Sequence, residues 1–140
     1  AYLAAASIAG IVSQRLMRKV CPDCQEEYEA RPEELKILYG KPAAPGEHVR
    51  LRRGKGCYLC NETGYKGRIA IHEILSVDAE MKRMISEGRK EDELKAYAIH
   101  SHGMTTLKEE AVRMVLAGIT TFEEMERLVY TIDIDYFGED

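Results

Sequence analysis

Cys21-Pro22-Asp23-Cys24 and Cys57-Tyr58-Leu59-Cys60-Asn61-Glu62-Thr63-Gly64 are the stretches on which the reading of this chain turns. Each holds a CxxC pair, thirty-two residues separate Cys24 from Cys57, and the chain has no fifth cysteine. A CxxC pair on a tight turn aims two sulfurs at one point. Two such knuckles offer the closed tetrahedron of sulfur ligands that structural Zn²⁺ takes, with no position left open for chemistry. Gly56 before the second knuckle and Gly64 after it give the backbone room to bend around an ion, and Pro22 fixes φ inside the first. Cys21, Cys24, Cys57 and Cys60 are therefore the candidate metal ligands, with Zn²⁺ the expected structural cofactor.

Other readings of the four thiols stand beside this one. Two disulfides require an oxidising compartment, and no sign of export is read here. A redox dithiol at Cys21-Pro22-Asp23-Cys24 calls for a preceding strand and for one pair only. The third reading is four thiols in a loop without a metal. The double knuckle points to a metal site but not to what the site serves, since ribbons of this kind occur in nucleic-acid binders, chaperones and motor subunits alike.

At 140 residues the chain has the size of one ordinary domain or two small modules. It has no Trp and two Phe, so its core is aliphatic and Met-rich with some Tyr. The net charge of −4 argues against a generic nucleic-acid binder. Charge is uneven: six bases and one acid lie between Val49 and Arg68, fifteen acids and eight bases from Asp78 onward. The apolar opening from Ala1 is interrupted by Gln14 and Arg15, too soon for a membrane span, and no basic segment precedes it as in a signal peptide. An opening this helical, with no cap and no starting Met, reads as a piece of a longer protein.

Tyr2 to Val20 is expected to be one helix, with Ile8, Ile11, Val12, Leu16 and Val20 on one face. From Gln25 to Lys55 the pattern breaks up. Pro32 opens a short helix carrying Leu35, Ile37 and Leu38, and Val49 to Arg53 reads as a short strand. So little apolar material holds a fold only with help from a metal. Gly67 to Leu75 reads as a strand, apolar on both faces and so central in a larger sheet. Four helices follow. Asp78 caps the first, whose inward residues are Met81, Met84 and Ile85, and Gly88 stops it. The second runs from Glu91 to Ser101, with Leu94, Ala98 and Ile99 inward. Thr106-Leu107-Lys108-Glu109 and Thr121-Phe122-Glu123-Glu124 are capping boxes that open the third and the fourth, the last reaching about Tyr130. Together they read as one compact bundle. The fold class is thus α+β, mostly helical.

The order of these parts is distinctive. Ile11-Val12-Ser13-Gln14-Arg15-Leu16 leads into Cys21-Pro22-Asp23-Cys24. The second knuckle continues into Thr63-Gly64-Tyr65-Lys66-Gly67-Arg68, and His102-Gly103-Met104-Thr105-Thr106-Leu107 and Ala117-Gly118-Ile119-Thr120 follow. Over residues 1 to about 133 this closely resembles the C-terminal region of the type II secretion and type IV pilus assembly motor ATPases. The resemblance implies that 1–20 and the strand 67–75 belong to a RecA-like ATPase core and that 21–66 is a tetracysteine metal-binding insertion. It further implies that 76–133 is the terminal helical subdomain, with 134–140 a flexible acidic tail. It implies a homo-hexameric motor on the cytoplasmic face of the inner membrane, contacting the remainder of its core, neighbouring subunits and an inner-membrane platform protein, and driving pilin or pseudopilin assembly. No nucleic acid is expected as a partner.

The sequence departs from a whole motor in one respect: it contains no GxxxxGK[ST] loop to cradle phosphates, and neither Gly40-Lys41-Pro42 nor Gly54-Lys55-Gly56 replaces one. ATP and Mg²⁺ are accordingly expected only in a longer parent, and no catalytic residue is assigned. Glu73, on the expected strand, reads as a boundary or ion-pair residue. His48, His72, His100 and His102 show no metal spacing; His102, before Gly103, reads as a helix-end residue. Arg15 and Arg68 read as structural or surface arginines, with approach to a nucleotide across a subunit interface as the other reading. The run Arg50, Arg52, Arg53 and Lys55 reads as a solvated face, with an acidic lipid or partner surface the alternative. The second functional reading is an independent zinc-ribbon binder of protein or nucleic acid. A ribbon has no use for the helical tail, whose acids repel phosphates.

Overall fold

The computed structural model describes residues 2–42 and 44–137. Its order is α1 (Tyr2–Ser7), β1 (Gly10–Val20), β2 (Gln25–Glu29), α2 (Pro32–Tyr39), β3 (Arg50–Gly54), a 3-10 turn (Tyr58–Cys60), β4 (Tyr65–Ser76), α3 (Ala79–Ser86), α4 (Glu91–His102), α5 (Leu107–Leu116) and α6 (Phe122–Phe137). Among the described residues there are six α-helices and two two-stranded sheets, β1–β4 and β2–β3. The class is α+β, as expected.

The expected opening helix is corrected. It ends at Ser7, and the chain from Gly10 to Val20 is a strand. Ser13, Arg15 and Met17 alternate inward with period two, while Ile11, Val12 and Leu16, assigned to a buried helical face, are exposed. Apolar residues spaced three and four apart fit a helix on paper. The β-branched Ile11 and Val12 after a glycine favour extended backbone, and pairing with β4 decides it. The same correction supplies the missing partner for the strand expected at Gly67–Leu75. That strand is β4, and it lies in a two-stranded sheet, not in the middle of a larger one among the described residues.

The chain divides into two compact units, Ala1–Arg15 with His72–Leu107, and Leu16–Ile71 with Lys108–Asp140. The first is centred on Val77, Met81, Ala98 and Met104, against which Ile8, Leu75, Ile85, Leu94, Tyr97 and Ile99 pack. Asp78 caps α3 as expected, its Oδ1 accepting from the Met81 N–H at 2.8 Å. Its Oδ2 accepts from the Tyr97 hydroxyl and pairs with His102 Nε2, which ties the start of α3 to the end of α4. Gly88 and Gly103 follow α3 and α4 in left-handed backbone (φ 70° and 61°), the conformation glycine adopts without strain. The Glu73 carboxylate accepts from the Leu107 N–H at 3.1 Å, so this strand glutamate serves the N-terminus of α5.

In the second unit α5 and α6 bury Ala111, Val115, Phe122, Met125 and Leu128. The four tail helices are therefore shared between the two units, α3 and α4 in the first, α5 and α6 in the second. Thr121 caps α6, its Oγ1 accepting from the Glu124 N–H at 3.1 Å. The other half of the expected capping box is diverted, because the Glu124 carboxylate takes Arg18. Helix α6 continues to Phe137, past the expected end near Tyr130 and into the segment expected as a tail from 134; residues 138–140 lie outside those described.

Candidate metal centre

The two ladders deliver the four cysteines to one place. β2 and β3 pair antiparallel from Glu29↔Arg50 to Gln25↔Gly54, and the ladder continues one step as the Lys55 N–H donates to the Cys24 carbonyl at 3.1 Å. That step sets the end of the first knuckle against the start of the second and closes the gap between Cys24 and Cys57. At the other ribbon the Cys21 N–H donates to the Gly64 carbonyl at 2.9 Å, joining the start of the first knuckle to the end of the second. β2 was not expected. Its sequence, Gln25-Glu26-Glu27-Tyr28-Glu29, is acidic, and what makes it a strand is the opposite charge across the ladder. Arg53 and Lys55 pair with Glu26, and Arg50 and Arg52 with Glu27. The basic run is thus a solvated face whose charge is met within the hairpin.

Two glycines fix the approach of β3 to the second knuckle. A Cβ on Gly54 would lie 2.2 Å from the Gly64 carbonyl oxygen, and one on Gly64 would lie 2.8 Å from that of Gly54. Backbone meets backbone here with no space for any side chain. Gly64 was singled out in the sequence; Gly54 was not, because its φ is ordinary and only the fold brings it against Gly64.

The four Sγ atoms lie within 4.8 Å of one another. Cys57 and Cys60 are 3.6 Å apart, Cys24 and Cys60 3.9 Å, and Cys21 and Cys57 4.0 Å. A tetrahedral ion with metal–sulfur bonds of about 2.3 Å sets its sulfurs about 3.8 Å apart, so the spacing fits. The cysteines are free and not disulfide-bonded. Cys21 and Cys60 are buried, Cys24 and Cys57 half-buried. Burial opposes ionisation of Cys60, but the N–H groups of Cys57 and Gly64, 3.2 and 3.3 Å from its sulfur, outweigh it and hold the thiol at about 6. Burial pushes Cys24 up to about 12 and Cys57 upward as well. Amides aimed at a sulfur are what a metal-bound thiolate needs as its outer support. The chemistry open to four sulfur ligands is structural: no coordination position is left for water or substrate.

A profile of the type II/IV secretion system protein family matches residues 1–127. The chain belongs to this family. It is 45% identical over 120 residues to the type IV pilus assembly ATPase PilB of Thermus thermophilus, covering 86% of this chain and 13% of that protein. It is 36% identical over 127 residues to the type II secretion system protein E of Pseudomonas aeruginosa, covering 91% of this chain and 24% of that one. The type II secretion system ATPase E of Vibrio cholerae gives 36% over 128 residues, with the same coverage. The chain thus spans a quarter or less of the length of these relatives.

Of the other residues weighed in the sequence, His102 meets Asp78 at the end of α4 and His48 pairs with Glu29, while His72 and His100 are exposed. Arg68 lies on β4 in a cleft with Arg18, Glu124 and Arg127. Arg18 and Glu124 went unremarked as a pair: 106 positions separate them, and no local pattern joins them. No helix among the described residues is long and apolar enough to cross a membrane.

Proposed function

We propose that this chain is the C-terminal, non-catalytic portion of a secretion or pilus-assembly motor ATPase. The observation that carries the reading is the continuous family match through both knuckles and the helices that follow. In this reading the parent is a homo-hexamer that hydrolyses ATP with Mg²⁺ on the cytoplasmic face of the inner membrane and drives pilin or pseudopilin assembly through a membrane platform protein. β1 and β4 belong to its RecA-like core. Cys21, Cys24, Cys57 and Cys60 hold one structural Zn²⁺, which keeps the segment 21–66 folded as a partner-contacting platform. The four-sulfur donor set and the sulfur spacing support Zn²⁺. The sequence supplies no phosphate loop, so hydrolysis belongs to other parts of the parent.

A chimaera tests this. The matching segment of the Thermus thermophilus PilB protein is replaced by this chain, and pilus assembly is scored in a strain lacking the native protein. Restored pili are expected. A chimaera that folds, forms hexamers and hydrolyses ATP but assembles no pili would count against the reading. The isolated chain is expected to release no phosphate from ATP above a buffer blank.

A further inference from the structure

The four cysteines differ in access. Cys24 and Cys57 are half-buried, Cys21 and Cys60 buried. Tyr58 and Leu59 are both exposed, so the tip of the second knuckle stands in solvent. Each half-buried sulfur has a buried one beside it: Cys57 and Cys21 are 4.0 Å apart, Cys24 and Cys60 3.9 Å. A third short contact, Cys57 to Cys60 at 3.6 Å, shares a sulfur with both pairs. Of the three, only Cys21–Cys57 and Cys24–Cys60 are disjoint and together use all four sulfurs. Both run from one knuckle to the other, between segments that the backbone already joins. The Cys21 N–H donates to the Gly64 carbonyl, and the Lys55 N–H to the Cys24 carbonyl. A disulfide sets its sulfurs about 2.05 Å apart, so each pair has about 2 Å to close, a distance that side-chain rotation covers.

An accessible sulfur beside a buried one is the arrangement in which the first is oxidised and the second resolves it. We propose that the tetracysteine site is a thiol–disulfide switch, in which a hydroperoxide oxidises Cys57 and Cys24, and Cys21 and Cys60 resolve them as two disulfides bridging the knuckles. The Cys57 thiolate attacks one oxygen of hydrogen peroxide. An S–O bond forms, the O–O bond breaks, and the departing hydroxide takes a proton and leaves as water. The Cys21 thiolate then attacks the Cys57 sulfur. The S–S bond forms, the S–O bond breaks, and this hydroxide too leaves as water. Cys24 and Cys60 follow the same course. In sum, four thiolates, two hydrogen peroxide molecules and four protons give two disulfides and four waters, with two electrons per disulfide passing from sulfur to peroxide. The thiolate is the form that ligates a metal, so the oxidised site has no ligand to offer an ion. The bridges fasten the knuckles in its place, and a dithiol reverses them by exchange. The loss of metal rests on the Zn²⁺ reading above; the disulfides rest on the sulfur positions alone.

The whole chain, purified without chelator, is treated with hydrogen peroxide at concentrations that leave its methionines unoxidised. The excess is removed with catalase, remaining thiols are alkylated, and the bonds are mapped by mass spectrometry. Cleavage before Asp23 separates Cys21 from Cys24, and cleavage after Tyr58 separates Cys57 from Cys60, so each connectivity gives its own linked peptides. All four free thiols should be lost, with Cys21 joined to Cys57 and Cys24 to Cys60, and dithiothreitol should restore them. With peroxide below one equivalent and dimedone present, the sulfenic acid should be trapped on Cys57 and Cys24. Bonds within the knuckles, the crossed pairing Cys21–Cys60 with Cys24–Cys57, dimedone on Cys21 and Cys60, or sulfinic and sulfonic acids in place of disulfides each overturn the switch. A chromophoric zinc indicator, read in parallel, separates the two readings. Disulfides formed without any zinc released mean that the Zn²⁺ reading fails and the switch stands. Zinc retained on thiols that peroxide leaves untouched means that the switch fails and the Zn²⁺ reading stands.

Discussion

The guanidinium of Arg18 and the carboxylate of Glu124 are 106 residues apart in sequence and 2.8 Å apart in space. The contact is more than an ion pair, because Glu124 Oε1 also accepts from the backbone N–H of Arg18 at 3.0 Å. Around it Thr120 donates its hydroxyl to the Arg18 carbonyl, the Val20 N–H donates to the Ile119 carbonyl, and the Tyr65 hydroxyl meets Thr121 Oγ1. β1, β4 and the start of α6 are thereby locked together immediately beside Cys21. The buried carboxylate is fully partnered, which is the condition under which a buried charge holds a fold together.

This pair should make stability pH-dependent in a defined direction. Burial works against the Glu124 carboxylate, but Arg18 and Arg127 outweigh it and hold the group at about 2, against an ordinary value near 4.5. Its contribution is complete above pH 4.5 and is lost as pH falls toward 2. The linked stabilisation is on the order of 3 kcal/mol. Urea denaturation of Glu124→Gln should show a loss of that order at pH 7, and the gap from the parent should narrow at pH 3. A gap that stays constant with pH would show that the charge of Glu124 is not what stabilises.

Gly54→Ala should damage the metal centre although Gly54 is no ligand and has ordinary backbone. Its Cβ would strike the Gly64 carbonyl at 2.2 Å. Forcing β3 off the second knuckle should cost about 2–3 kcal/mol and, if the four cysteines hold Zn²⁺ as proposed, speed its transfer to a chromophoric chelator. Gly40→Ala is the comparison. Gly40 has φ 67° and open space around it, so strain without collision applies, a cost of about 1 kcal/mol. Equal zinc release from the two variants would refute the collision argument.

Much of this was legible in the sequence where the signal is local. Asp78 at the start of α3, Gly88 and Gly103 after α3 and α4, Thr121 at the start of α6 and the four cysteines are each read from a few neighbouring residues, and each sits where that reading placed it. What failed is what partners decide. Gly10–Val20 carries apolar spacing compatible with two periods, and only β4 selects the strand. Gln25–Glu29 has no strand composition, and only the bases of β3 give it one. Gly54 and Arg18 matter through contacts 10 and 106 positions away.

Glu73→Ala should destabilise the N-terminus of α5. The Glu73 carboxylate accepts from the Leu107 N–H, one of the donors a helix leaves unmatched at its start. Losing it should cost about 0.5–2 kcal/mol, the range of an N-cap. Glu73→Gln, which keeps an acceptor but removes the charge, should recover most of that. Thermal denaturation of the two variants measures the difference; identical midpoints for alanine and glutamine would mean that the contact contributes nothing.

Cys57→Ser tests how far the metal centre supports the chain. The segment 21–66 buries few apolar side chains, chiefly Ala30, Leu35, Leu38 and Leu51; if it holds Zn²⁺ as proposed, ordering its backbone depends on that ion. Were the tail one bundle, losing the metal would spare all four of its helices. The contacts point elsewhere. α5 and α6 belong to the same unit as the cysteines, and their connection at Ile119, Thr120 and Thr121 bonds to Val20, Arg18 and Tyr65, next to Cys21 and Gly64. α3 and α4 have a separate core in Val77, Met81, Ala98 and Met104, closed by the Asp78–Tyr97 hydrogen bond. Hydrogen exchange on Cys57→Ser should therefore show lost protection over 21–66 and weakened protection at 108–130, with amides of 79–103 still protected. Protection retained throughout α5 and α6 would mean that the tetracysteine segment folds by itself. Loss reaching Met81 and Ala98 would mean that the chain unfolds as a single cooperative body.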